Sequence, residues 1–176
     1  TDAKDMVGPL DDQVRQALRF VWQNTRMAAI KTPARIDIPE YDSQAIFEAL
    51  VNAVAHRDYS VLGSKIRLHI FEDRLELFSP GMIPNTLTLD SLALRQSTRN
   101  ELVASLLAKC PLDIAELDSP RSHMMDRRGE GVPIILGNSQ RLSGRMPEFK
   151  LIDDSELLLT LYPAKSTKGD DLEDDS

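Results

Sequence analysis

At 176 residues, 41% hydrophobic and 28% charged, the chain has the size and balance of one soluble domain, and no apolar run approaches the roughly 20 residues of a membrane span. A net charge of −7 and a pI near 5.0 argue against this segment gripping a nucleic-acid backbone by itself. The single cysteine, Cys110, excludes an internal disulfide, and three scattered histidines give no Cys/His metal spacing, so a reducing, cytoplasmic setting without membrane contact is expected.

Residues 1–8 read as a linker, and a start at Thr1 without an initiator methionine suggests a piece cut from a larger protein. Pro9 then opens a helical stripe of Leu10, Val14, Ala17, Leu18, Val21, Trp22 and Met27, the spacing of a core-facing helix. Lys31 to Asp42 holds Pro33 and Pro39 around the alternation Arg35-Ile36-Asp37-Ile38, a connecting segment or an edge strand.

The stretch Asp42 to Ser60, DSQAIFEALVNAVAHRDYS, is the most informative. Asp42 or Ser43 can cap a helix whose apolar arc holds Ile46, Phe47, Leu50, Val51, Ala53 and Val54. Ala45, Glu48, Asn52 and His56 fall in the opposite arc. Glu48 and Asn52, four apart, reach into the same space, where a carboxylate can take a proton from water and an amide oxygen suits Mg²⁺. On spacing alone the pair reads more readily as part of a solvated face.

His56 to Gly63 is a loop, and Lys65 to Phe71 alternates as a half-buried strand that turns at Glu72-Asp73 into Arg74 to Phe78, an antiparallel hairpin broken by Ser79-Pro80-Gly81. Asn85 to Gln96 reads as a turn and short helix, and Arg99 to Lys109 as a helix burying Leu102, Val103, Leu106 and Leu107. Pro111 to Arg128 is mixed and polar. Gly129-Glu130-Gly131 leads into a helix from about Val132 to Leu142, whose N-terminal amides attract anions. Phe149 to Ile152 and Leu157 to Tyr162 form a second hairpin around Asp153-Asp154, ahead of an acidic tail from 164 to 176 that reads as disordered. The element order predicts an α+β fold, a two-layer sandwich with helices on one face of a mostly antiparallel sheet, over residues 9–163.

The segments EALVNAVAHRDYS (48–60), FSPGMIP (78–84), STRN (97–100), DRRGEGVP (126–133) and PEFKL (147–151), in that order, resemble the C-terminal ATPase-like domain of RecG-related transcriptional regulators, which usually carry a Schlafen-type AlbA DNA-binding domain upstream. That domain is similar to the ATP-binding sandwich of gyrase B, histidine kinases, MutL and the ninety-kilodalton heat-shock chaperone. The resemblance implies Glu48 as general base and Asn52 as the ligand of a Mg²⁺ bridging the nucleotide phosphates. It implies Gly129 and Gly131 as the second glycine box, Ser79 and Gly81 as the first, and Met82 to Arg128 as a lid. His56 and Asp58 would touch the ligand or lid, or simply tie off the helix end. Arg99 would reach a phosphate, or be an ordinary helix-start charge.

The first box of the superfamily, D-x-G-x-G, stands here as Ser79-Pro80-Gly81-Met82-Ile83. Loss of the aspartate that anchors adenine removes a charge-assisted hydrogen bond of roughly 1.5 to 3 kcal/mol. Weak, less base-selective or lost nucleotide binding are therefore the alternatives. No P-loop is present, so the RecG name by itself carries no helicase chemistry. The resemblance points to an ATP- and Mg²⁺-binding regulatory module with slow hydrolysis or none, contacting DNA only through a domain outside this chain and able to pair with a second copy. The competing expectation is a fold that has lost nucleotide and serves interaction or dimerisation.

Overall fold

The computed structural model describes residues 3–32, 34–81, 91, 99–113, 117, 121–126 and 129–165. In chain order these form α1 (Leu10–Asn24), β1 (Met27–Thr32), β2 (Ala34–Pro39), α2 (Ser43–His56), β3 (Arg67–Ile70), β4 (Leu75–Pro80), α3 (Glu101–Leu107), α4 (Gly131–Ser143), β5 (Glu148–Ile152) and β6 (Glu156–Leu161). The fold is α+β in two layers, as the element order predicts.

The main sheet runs β3-β4-β6-β5 with every pair antiparallel. Its register sets Leu75 opposite Leu161 and Leu77 opposite Leu159. All four are buried beneath the helices. Because side chains alternate along a strand, the same register sends Glu76 and Phe78 to the other face, where Arg67 lies over the Phe78 ring at 4.9 Å. The turn joining β5 and β6 carries Asp153 and Asp154 at φ 48° and 50°, the left-handed region that short polar side chains tolerate. The first hairpin closes with the Phe71 amide donating to the Arg74 carbonyl at 2.8 Å.

α2 is the central element. Asp42 caps it by accepting the Ala45 amide at 2.8 Å, and Phe47, Ile46 and Val51 fix one side in the core beside Leu18, Val14 and Val21 of α1. The opposite side is not solvated: α4 packs along it, so that Ala45, Glu48 and Ala49 are as buried as the apolar arc. An arc lined with alanine lets a second helix approach closely, which overrides the amphipathic appearance of the sequence.

Three expectations are corrected. Met27 is not in the first helix: Thr25 is already extended, and Met27 starts β1, a strand paired with β2 in a separate hairpin. The strand before Gly81 does not break at Ser79, because Ser79 and Pro80 pair with Leu157 and Glu156 of β6. In α3 the buried residues are Ala104 and Leu107, while Leu102 and Leu106 are exposed. Asn100 sets that rotation by donating to the α2 carbonyl of Ala55 at 2.9 Å and to that of Arg57 at 2.7 Å. Apart from residue 91, the turn and helix expected at 85–96 lie outside the described residues, as do about half of the expected lid and the tail beyond residue 165. No described helix is long and apolar enough to cross a membrane.

Candidate functional site

Burying Glu48 between α2 and α4 puts a charged group where water cannot stabilise it, and a carboxylate so placed needs a partner. Arg121, from the polar segment ahead of α4, supplies one: its guanidinium pairs with Glu48 Oε1. Both side chains are largely enclosed, 16% exposed for Arg121 and 4% for Glu48. The guanidinium also lies 5.7 Å from the centre of the Phe47 ring. Burial is the largest influence on Arg121 and lowers its pKa, opposed by the charges of Asp126 and Glu130. An arginine guanidinium stays a cation at neutral pH even so. Nothing in the local sequence marks Arg121, since its partner is far away along the chain.

The other oxygen of Glu48 and the Asn52 carboxamide face the first residue of α4. A Cβ built on Gly131 would lie 2.6 Å from Asn52 Nδ2 and 3.1 Å from Glu48 Oε2. A methyl there would have to push the ends of both side chains aside, so with glycine the backbone at the helix N-terminus rests directly against the acid and the amide. Asn52 Nδ2 is buried and has no hydrogen-bond partner among the described residues. An amide that cannot reach water seeks a counterpart: its nitrogen an anionic oxygen, its oxygen a cation. Pro133 has no N–H, which leaves the Gly131 and Val132 amides as the donors the first turn can offer a ligand. Gly129 precedes this turn at φ 70°.

The remaining expected residues form a second group, near the C-terminal end of α2. Ser79 donates its hydroxyl to the Ala53 carbonyl at 3.1 Å. Gly81, at φ 122°, donates its amide to Ser155 and leaves so little room that a Cβ would meet Asp58 Cβ at 2.9 Å. Asp58 pairs with Arg99 at 2.5 Å, accepts the Ser60 amide and hydroxyl, and donates its own amide to Pro80. Its pKa lies below the ordinary value, chiefly through the Ser60 hydroxyl. His56 is lowered too, by burial first and by Arg99 second. Asp58 and Arg99 thus hold the end of α2 against β4. Glu48, Asn52 and His56 follow one another at four-residue spacing, so the row spans about 12 Å at 1.5 Å per residue.

The residues present fit a Mg²⁺-bound polyphosphate: a buried amide without a partner, a helix N-terminus bared by glycine, and one buried guanidinium. A cleft of about 1570 Å³ opens elsewhere, between residues 3–7, α1 and β3, with Val7, Leu10, Val14 and Ile70 in its walls; Glu48, Asn52 and Gly131 take no part in it. Its lining is mostly apolar, and the charged pair it holds, Asp5 with Lys65, is exposed to solvent rather than enclosed.

Comparison with known proteins agrees with this architecture. The crystal structure of the DIP2311 protein from Corynebacterium diphtheriae superposes with a TM-score of 0.69 at 23% identity, covering 88% of this chain and 29% of that one. At that identity the likeness shows the fold, and the chain spans less than a third of that protein's length. No curated protein matches the chain. A family model matches residues 63–161, a stretch that includes Ser79, Gly81, Arg99, Arg121, Gly129 and Gly131 but starts after Glu48 and Asn52. The family is described as "Putative ATP-dependent DNA helicase recG C-terminal", and because the match covers more than half of the 176 residues, the chain belongs to it: a RecG-related C-terminal ATPase-like domain.

Proposed function

We propose that the chain is a nucleotide-binding regulatory module of the Mg²⁺–ATP type, serving a DNA-associated transcriptional regulator whose DNA contacts come from a domain outside this chain. The observation that carries the reading is the seat of Gly131 on Asn52 and Glu48, with the Asn52 amide buried and without a hydrogen-bond partner among the described residues. A structural helix contact would not call for glycine and an unsatisfied amide at the same point.

In this reading Asn52 offers its carboxamide oxygen to the cation, and the Gly131 and Val132 amides face phosphate oxygens. Ser79 and Gly81 lie toward the base. Glu48 orients a water, and hydrolysis is slow or absent. A bound Mg²⁺ supplies charge neutralisation of the phosphates. A net charge of −7 fits a module that leaves DNA to another domain.

One observation favours a second reading, an interaction or dimerisation domain without nucleotide. Ser79 replaces the expected adenine-binding aspartate, and its hydroxyl proton is engaged with α2. Calorimetric titration with ATP and Mg²⁺ separates the two. Saturable heat that weakens at least tenfold in Asn52→Ala supports the module. A flat titration of the wild type that stays flat in Glu48→Gln refutes it and leaves the interaction reading.

A further inference from the structure

We propose that Arg121 is a latch on this site: in the nucleotide-free chain it holds Glu48 as an internal stand-in for phosphate, and an arriving triphosphate takes the guanidinium over. The inference rests on the nucleotide reading of the site.

Three features meet at Glu48. One carboxylate oxygen pairs with Arg121, the other faces the start of α4, and the Asn52 amide lies against the same glycine. A guanidinium, a helix N-terminus and an amide nitrogen together make a site for an oxyanion. In the structure the oxyanion is the protein's own. A carboxylate paired with a guanidinium has its charge offset, so it is a poorer acceptor for a water proton. It is released for that role only when Arg121 has something better to bind. A polyphosphate carries more charge than one carboxylate and offers the paired oxygens that a guanidinium fork binds in bidentate fashion. Asp126 and Glu130 also act on Arg121. They keep it near the site when it leaves Glu48, and they make an accompanying divalent cation necessary to offset the acids around the ligand.

Linkage gives the test. If binding must break the Arg121–Glu48 pair, then Glu48 competes with the ligand, and removing its charge tightens binding only while Arg121 is present. Calorimetric dissociation constants for the non-hydrolysable analogue AMP-PNP with Mg²⁺ are measured on the wild type, Glu48→Gln, Arg121→Met and the double variant, with circular dichroism as the check on folding. Glu48→Gln is expected to tighten binding roughly tenfold, within the usual range of coupling between sites. Arg121→Met is expected to weaken it, and Glu48→Gln added to Arg121→Met to produce no tightening. If Arg121→Met fails to fold, Arg121→Lys replaces it, keeping the charge without the fork, and the tightening by Glu48→Gln should shrink.

Equal affinities for wild type and Glu48→Gln, or tightening that persists without Arg121, overturn the latch while leaving the nucleotide reading in place. Absence of binding in both wild type and Glu48→Gln removes the nucleotide reading and the latch with it. Binding by Glu48→Gln alone supports the latch in its strongest form.

Discussion

Two glycines in α4 should respond in opposite directions to the same substitution. At Gly137 a Cβ meets nothing within 4 Å. Alanine there gains the helix preference of about 0.8–1.0 kcal/mol over glycine. For a chain of this length that raises the melting temperature by about 2–4 °C. At Gly131 the same methyl lies 2.6 Å from Asn52 Nδ2, 3.1 Å from Glu48 Oε2 and 3.4 Å from Asn52 Cγ. Against a comfortable separation of about 3.5 Å, the Asn52 amide must retreat by about 0.9 Å. It has little freedom to do so, because Asn52 Nδ2 is enclosed and Glu48 beside it is held by Arg121. Overpacking of this kind costs about 1–3 kcal/mol, set against at most about 1 kcal/mol of helix preference. The net loss of about 1 kcal/mol lowers the melting temperature by about 2–4 °C. Thermal unfolding by circular dichroism reads both variants, and the gap between them matters more than either value. Gly131→Ala melting at or above Gly137→Ala would show that the contact between α4 and the acid–amide pair does not exist.

Two further outcomes follow from the group at the far end of α2. Asn100→Ala removes both hydrogen bonds to the carbonyls of Ala55 and Arg57 and should cost about 1–3 kcal/mol, seen as a lower urea midpoint at unchanged slope; an unchanged midpoint would mean that α3 is not anchored through Asn100. His56 has a folded pKa below its ordinary 6.5, through burial and then Arg99. The unfolded chain therefore takes up a proton first as pH falls, and stability present above about 6.5 is lost from there down toward the folded value. His56→Gln should flatten the melting temperature between pH 7.5 and 5.5, and an equally steep profile in the variant would assign the loss to other groups.

The legible parts of the fold are those decided by local chemistry. Asp42 caps α2, the β3–β4 turn falls at Glu72-Asp73, and the β5–β6 turn falls on two aspartates that accept a left-handed backbone. What was illegible depends on contacts far apart in the chain. The spacing of Glu48 and Asn52 is visible, but whether their arc meets solvent or another helix depends on α4. The alanines at 45, 49 and 53 are a signal of close helix approach that the amphipathic reading passes over. Arg121 sits in a segment without periodicity, so only the buried acid it faces gives it meaning. The leucines of α3 depart from the expected burial because a seven-residue helix is too short to fix its own rotation. Asn100 fixes it from outside.

The energetics of the Glu48 site bear on why such residues are there at all. A buried ion pair is a poor source of stability: replacing one by well-packed apolar side chains is often neutral or stabilising by about 1–4 kcal/mol. An unsatisfied buried amide is a further cost of about 1–3 kcal/mol. If α2 and α4 met only to close a core, leucine or methionine at positions 48 and 121 and alanine at 52 would do it better. The glycine at 131 would then lose its reason as well, since its bare backbone is needed only because the acid and the amide stand beneath it. Glu48, Asn52, Arg121 and Gly131 therefore make sense as a set. Each is a local concession that the others require, and a ligand that satisfies the amide and competes for the guanidinium is the event that would offset their shared cost.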